Sequence, residues 1–418
     1  MQKRATTFEL INLNTYWVGL SFMWNSLHVL ILPAVLLEFV ADARKNTVLG
    51  LLTFTGLIVA MLVQPLSGSL SDRWGSRFGR RRPWIAFGTL FDLFFLAVLA
   101  YAGGLPLLAL GYIGLQFTSN LAHGPAQGLM HDRVPLDQMG MASGIKNLFD
   151  MAGLVVSSLL IGRILTMQNV PLAFGTVAAF LVLGSLFTLF GVREKPHGTE
   201  QSTEERQPFD FAFGALKDRQ AYRRLILSRL LFLTGVYGVQ TFAQYYIRDT
   251  LAVPDPVKLT GDLLATIVLS LIGFSLVAGY VSDRFGRKPL HIVAVLLVAV
   301  GNLLMMLANS ATAILIFGSV IGAGIGLFIS ANWALANDHA PTGEGGKFLG
   351  LTNLATAGAG ALSRLAGPGI DSLNALKPGA YLGYDGLFIL AAAVALLSLW
   401  ALKSVPEVHK QPPQKGGK

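Results

Sequence analysis

Apolar residues run in long blocks along this chain, such as Ile267–Val281 and Leu387–Leu402, broken by short clusters of Pro, Gly and charge. A helix that crosses a bilayer needs ~20 largely apolar residues. The breaks predict spans over roughly 13–40, 47–71, 84–103, 106–130, 141–167 and 172–192, with boundaries good to a few residues. After a polar stretch they predict six more, over roughly 224–250, 260–281, 290–309, 311–336, 349–373 and 382–402. The expected fold is an all-α membrane protein of twelve transmembrane helices. It divides into an N-terminal six-helix half (1–192), a linker (193–223), a C-terminal six-helix half (224–402) and a tail (403–418). The linker composition, Glu-Lys-Pro-His-Gly-Thr-Glu-Gln-Ser-Thr-Glu-Glu-Arg-Gln-Pro, is that of a solvated segment.

The two halves repeat. Gly68-Ser-Leu-Ser-Asp72-Arg73-Trp-Gly75 matches Gly279-Tyr-Val-Ser-Asp283-Arg284-Phe-Gly286, each after the second span of its half. Asp132, Pro135, Gly140, Gly144, Asn147 and Leu148 match Asp338, Pro341, Gly346, Gly350, Asn353 and Leu354 at a constant offset of 206 residues. Two six-span repeats related along the membrane normal are a carrier architecture, with the solute path expected between the halves. A twelve-helix enzyme or receptor has no reason to be duplicated in this way.

Composition agrees with the pattern. Hydrophobic types make up 53% of the chain and charged types 13%, too few to clothe a soluble protein of 418 residues. Cysteine is absent, which removes disulfides, thiolate nucleophiles and Cys-ligated metals. The net charge of +9 is explained by where Lys and Arg fall, and nucleic acid is not the expected partner. One set of loops and tails holds 23 of them; the opposite set holds only Arg44, Lys45, Arg248, Lys258 and Lys377. By the positive-inside rule both termini and the linker face the cytoplasm, which suits the plasma (inner) membrane. The polar N-terminus followed by a long span, with no small-residue cleavage site, reads as an uncleaved first helix.

The loop motif Gly-x-Leu-Ser-Asp-Arg-x-Gly, present a second time with Val281 in place of Leu, resembles the signature of the major facilitator superfamily. The first copy continues Ser76-Arg77-Phe78-Gly79-Arg80-Arg81-Arg82-Pro83-Trp84-Ile85. That run is similar to a stretch of the plant sucrose transporters and of the related glycoside–pentoside–hexuronide:cation symporters. Phe22-x-Trp24 with Pro33, and Asn120 with Gly124-Pro125, add to the likeness. It implies sugar transport coupled to a proton or Na⁺. Counting back from Gly124-Pro125, the acid with which sucrose carriers bind the proton falls at Gln116. An amide takes up no proton near neutral pH, so coupling here needs another group or is absent.

Polar residues within the spans follow helical spacing. Gln116, Asn120, His123 and Gln127 are separated by steps of 4, 3 and 4. Trp17, Ser21, Trp24 and His28 follow the same steps, with Asn25 beside them. Tyr237, Gln240, Gln244 and Arg248 form a third stripe; Asn332, Trp333 and Asn337 are a less regular set in the tenth span. Lipid-facing stripes of this polarity are costly, so they point inward or to water. Amides and indoles suit a neutral polyol, through hydrogen bonds and stacking on C–H faces. The competing reading is that Ser, Asn and Gln join helices together.

Lys146 and Asp150 are four apart and able to pair, either as a static pair or as a coupling site where Asp150 trades Lys146 for a cation. His123 is the other coupling candidate, since an ordinary imidazole titrates near neutrality. Asp92, on a peripheral helix, is expected to have a partner in its own half. Asp72, Asp132, Asp283 and Asp338, with Arg73, Arg80, Arg81, Arg284 and Arg287, lie at cytoplasmic helix ends and read as a gate. No phosphate loop, metal cluster or nucleophile–base–acid set stands out, so neither an enzyme, nor ATP drive, nor a cofactor is expected. The expected function is alternating-access transport of a sugar or similar small polar solute. The alternatives are export of an amphipathic compound on the same fold, and a non-transporting assembly or sensor protein.

The orientation is open to direct test. Cysteines at Arg44→Cys and Lys377→Cys should react with an impermeant maleimide added outside cells. Arg80→Cys and Gln201→Cys should react only after permeabilisation. External labelling of Gln201→Cys would overturn the charge argument.

Overall fold

The computed structural model describes residues 4–192, 194, 219–339 and 345–407. Most of the expected linker, the end of the tail, and the region of Pro341 therefore lie outside the described residues. In chain order the helices are α1 (Thr7–Leu36), α2 (Lys45–Asp72), α3 (Arg82–Ala100), α4 (Leu105–Arg133), α5 (Met139–Thr166) and α6 (Val170–Gly191). There follow α7 (Gln220–Thr250), α8 (Pro256–Phe285), α9 (Arg287–Met305), α10 (Ala311–His339), α11 (Gly345–Arg364, continued by Gly367–Leu376) and α12 (Leu382–Lys403).

Ten of these rods are long and apolar enough to cross a membrane. Helix α4 is not among them because the Gln116–Gln127 stripe dilutes its apolar run. The span expected over 349–373 is broken in two, since Pro368 at the start of the second piece cannot continue the first. Helix α1 starts earlier than expected. Thr6 caps it, its hydroxyl accepting from the Glu9 N–H while the Glu9 carboxylate accepts from the Thr6 N–H.

Within α1 the residues Ser26–Ile31 form a π-helical turn. Pro33 lacks the N–H that would bond the Val29 carbonyl, and its ring crowds that oxygen. The side chain that satisfies it comes from α7. The Gln244 amide nitrogen lies 2.8 Å from the Val29 carbonyl oxygen and 3.0 Å from that of Leu30. One residue on, the Tyr245 hydroxyl donates to the Pro33 carbonyl at 2.9 Å.

The chain forms two compact units. One contains the described residues among Met1–Arg206 together with Gln240–Val268 and Arg364–Tyr384. The other contains those among Gln207–Val239, Leu269–Ser363 and Asp385–Lys418.

The sequence repeat has a structural counterpart at the basic end of each unit. Arg81 pairs with Asp132, and 206 residues later Arg287 pairs with Asp338. The N-termini of α3 and α9 are each held by a carboxylate from beyond the sixth helix of the half. Glu194 accepts from the Arg81 and Arg82 N–H groups at 3.0 Å, and Glu407 from Arg287 at 2.7 Å and Lys288 at 3.3 Å. Gly79 (φ +97°) and Gly286 (φ +91°) precede these helices in the left-handed region, where a Cβ would strike the Glu194 or Glu407 carboxylate. By position and role Gly79, not Gly75, is therefore the partner of Gly286.

At the opposite end of the first unit the polar groups are buried. Lys45 at the start of α2 pairs with Asp249 of α7 at 2.6 Å, with side chains 5% and 6% exposed. The Tyr384 hydroxyl donates to the same carboxylate at 2.6 Å. Asp371 accepts from the Asn46 side chain at 2.8 Å and the Thr47 N–H at 2.7 Å. At the edge of this cluster Arg248 reaches Asp42 at 2.8 Å.

Removing one member of a buried pair strands the other charge and costs about 3–5 kcal/mol, whereas replacing both with apolar groups is often near neutral. Lys45→Met should thus lower the unfolding midpoint of the purified protein clearly. The double variant Lys45→Met with Asp249→Leu should recover most of the loss. Equal losses in the single and double variants would show that the pair carries no special weight.

Candidate functional site

Helices α1, α4 and α5 bring together residues that the sequence separates by more than a hundred positions. Trp17 lies at the centre. The His123 ring meets it edge-on with centroids 5.0 Å apart, and the Lys146 ammonium sits 4.1 Å from its ring centre. Lys146 also pairs with Asp150 at 2.7 Å, and Ser21 donates to the other oxygen of that carboxylate at 2.7 Å. Gln127 and His123 contact each other at 3.2 Å. The Lys146 and Asp150 side chains are each 23% exposed, so the pair is not sealed from its surroundings. Amide, ammonium and carboxylate here form a half-open polar surface over the Trp17 indole, which is itself buried.

The rest of the two stripes is turned into packing. Gln116 and Asn120 are buried. Gln116 donates to the Tyr112 hydroxyl at 2.8 Å, and His28 meets that hydroxyl at 2.9 Å while stacking on Trp24. Asn120 donates back to the Gln116 carbonyl at 2.8 Å. Asn25 donates to Ser157 and Ser158 on α5 at 2.7 and 2.9 Å. Gln244 serves the carbonyls freed by Pro33. The amide nitrogens of Gln116 and Asn120 bond within α4, and those of Asn25 and Gln244 reach neighbouring helices. Of the expected solute-binding set in this unit, the surface described above keeps Trp17, Ser21, His123 and Gln127. Trp24 and Gln240 are half-buried beside it in type but not bonded to it.

Asp92 is fully buried and accepts from Thr118 at 2.5 Å; its other oxygen has no hydrogen-bond partner, nor has the buried Tyr16 hydroxyl. The partner from its own half is a neutral hydroxyl.

In the second unit, Asn332 and Trp333 of α10 stand against a residue that stripe analysis did not assign to binding. Arg229 of α7 donates to Asn332 at 2.7 Å and to Thr356 at 2.9 Å, with its guanidinium 5.1 Å from the Trp333 ring centre. Tyr237 is half-buried on the same helix.

The expected gate residues pair within their own repeats. Asp72 and Asp132 both meet Arg81, and Asp132 also meets Arg80. Burial opposes the charge on Arg80, but Asp132, Asp72 and Glu194 together outweigh it and raise the guanidinium above its ordinary range. Arg287 holds Asp338, while Arg284 lies over the Phe285 ring. Arg73 caps the end of α2 through its backbone N–H. The side chain of Asp283 lies outside the described residues. Residues that spacing alone missed are Tyr112, Glu194, Glu407 and the Lys45–Asp249–Asp371 cluster. Tyr112 lies four residues before Gln116 and extends its stripe, whereas the others sit one per helix or loop and no periodic signal marks them. Among the described residues no cluster of three His, Asp or Glu could hold a metal ion.

The model of the Major Facilitator Superfamily matches residues 6–364 and 259–418. An uncharacterised symporter, YnaJ, of Bacillus subtilis is 27% identical over 311 residues, which cover 69% of this chain and 65% of the symporter. Mouse solute carrier family 45 member 3 is 30% identical over 146 residues, covering 32% of this chain and 25% of the carrier. The chain thus spans less than two thirds of either relative. The crystal structure of the nucleoside transporter NupG superposes with a TM-score of 0.74 at 14% identity, covering 96% of this chain and 99% of that one. Helix order, paired repeats and the match along almost the whole sequence have one meaning: the chain is a multi-pass membrane protein that belongs to the Major Facilitator Superfamily.

Proposed function

We propose that this protein moves a sugar or similar small polar solute by alternating access, with cation coupling through Asp150. The observation that supports this best is the meeting of Trp17, Ser21, His123, Gln127, Lys146 and Asp150 in one cluster whose Lys146–Asp150 pair is partly exposed. The amide and hydroxyl offer a polar solute directional hydrogen bonds. A paired Lys–Asp buried only in part is suited to exchange. A proton or Na⁺ that occupies Asp150 releases Lys146, which stays supported by the Trp17 face.

In this reading the repeats act as six-helix halves and both termini face the cytoplasm of a plasma (inner) membrane. The Lys45–Asp249–Tyr384 cluster then closes the outer end. The Arg81–Asp132 and Arg287–Asp338 pairs stiffen the inner end of each half and leave it free to move as a body.

Proteoliposomes given sugars and other polar metabolites should show uptake under an inward proton or Na⁺ gradient. Asp150→Asn should abolish uphill accumulation and leave counterflow, because the solute surface survives while the exchangeable charge is gone. His123→Gln should weaken solute binding but keep the dependence on the ion gradient. The converse pattern assigns coupling to His123. Uphill uptake surviving in both variants overturns both assignments, and efflux of amphipathic dyes without uptake of any polar solute makes the protein an exporter.

A further inference from the structure

The geometry points to a binding site on α7, α10 and α11 for the carboxylate of an anionic solute, built around Arg229. This rests on the transport reading above and narrows its substrate class.

Arg229 is 5% exposed and lies within a membrane helix, where an isolated charge is expensive. Its hydrogen-bond partners are the neutral Thr356 hydroxyl and the Asn332 carbonyl, and its flat face lies over Trp333. Among the described residues no carboxylate is in ion-pair contact with it. The titratable groups that face it are Tyr222, Tyr237 and His291, none of which is an anion at neutral pH. Two other buried cations are treated differently: Lys45 has Asp249, and Arg81 has Asp72 and Asp132.

The first repeat gives the sharpest contrast. Lys146 sits over Trp17 much as Arg229 sits over Trp333, but Asp150 completes that arrangement. In the second unit the corresponding anion is not supplied by the described chain.

Asn332 adds an independent observation. It is fully buried; its carbonyl is committed to Arg229, and its amide nitrogen has no hydrogen-bond partner. A buried donor left unmade is costly, so it marks a place where an acceptor belongs. A guanidinium edge and an amide N–H group together form a donor-only surface of single positive charge. A carboxylate matches it in charge and in having two acceptor oxygens. A phosphate dianion would leave one negative charge without a counter-ion. The solute class is therefore a compact monocarboxylate, such as a sugar acid, whose carbon frame lies toward Trp333.

The test uses purified full-length protein and thermal unfolding with matched probes: glucuronate with glucose, galacturonate with galactose, lactate with lactamide, benzoate with benzamide, and chloride and phosphate alone. Stabilisation should come from one or more carboxylates and not from their neutral partners. Arg229→Gln should weaken that binding roughly 30-fold or more, the usual effect of removing one member of a buried charge pair, and Arg229→Lys should weaken it less. Asn332→Asp places a carboxylate on Arg229 without any ligand. It should raise the unfolding midpoint of the free protein and abolish stabilisation by carboxylates.

A lowered midpoint in Asn332→Asp, stabilisation by neutral members, chloride or phosphate alone, no stabilisation by any carboxylate, or carboxylate binding unchanged in Arg229→Gln would each overturn the assignment. Uptake separates this from the broader reading. Arg229-dependent binding without transport of the bound acid retires the solute role and leaves the anion site. Transport of a neutral solute indifferent to Arg229 does the reverse.

Discussion

A charge enclosed among membrane helices is costly without compensation, and the buried ion pairs of this chain answer that constraint. Lys45 is 5% exposed at its side chain because Asp249 is 2.6 Å away, and Asp249 is acceptable there because Tyr384 also donates to it. The three come from α2, α7 and α12, so the polar cluster fixes where these helix ends meet. At the basic ends the same need is met locally, by Arg81 with Asp72 and Asp132 and by Arg287 with Asp338. Ion pairs thus tie distant parts of the chain together at one end and brace each repeat at the other. The central surface is the intermediate case, with Lys146 and Asp150 paired but still within reach of water.

The fold was legible in the sequence because its signals are long and redundant. Twelve apolar blocks, a duplicated loop motif and a lopsided distribution of Lys and Arg each point to the same architecture. The breaks were less legible. The π turn depends on where the carbonyl freed by Pro33 finds a donor, and that donor, Gln244, is more than two hundred residues away. The division at Leu365–Ala366 follows from Pro368, a cue that an apolar run conceals.

The site was legible in part, for a reason seen in single residues. Helical spacing identifies a polar face but not what that face meets. His123 and Asn120 lie on one stripe, yet His123 meets Trp17 beside the partly exposed Lys146–Asp150 pair and Asn120 is buried against the Gln116 carbonyl. Asn25 fell beside the first stripe and is bonded to two serines of α5. Arg229 and Glu194 belong to no stripe, and only the folded chain gives them their neighbours. The pairing of Lys146 with Asp150 was readable because both partners are on one helix, four residues apart.

The π turn in α1 has a consequence for phase. A π turn is in effect one residue inserted into an α-helix, and one residue is about 100° of rotation about the axis. Trp17, Ser21 and Trp24 precede the turn, while Pro33, tied to Tyr245, follows it. The angle between the Trp17–Ser21–Trp24 stripe and the anchored end of the helix is therefore set by those six residues. Were the turn to relax into regular α-helix, Trp17 would swing by about a quarter of a circle relative to Pro33. Gln244, by occupying the carbonyls of Val29 and Leu30, holds that angle at its present value. The first helix thus behaves as a shaft with a keyed joint, and its key is carried by the seventh.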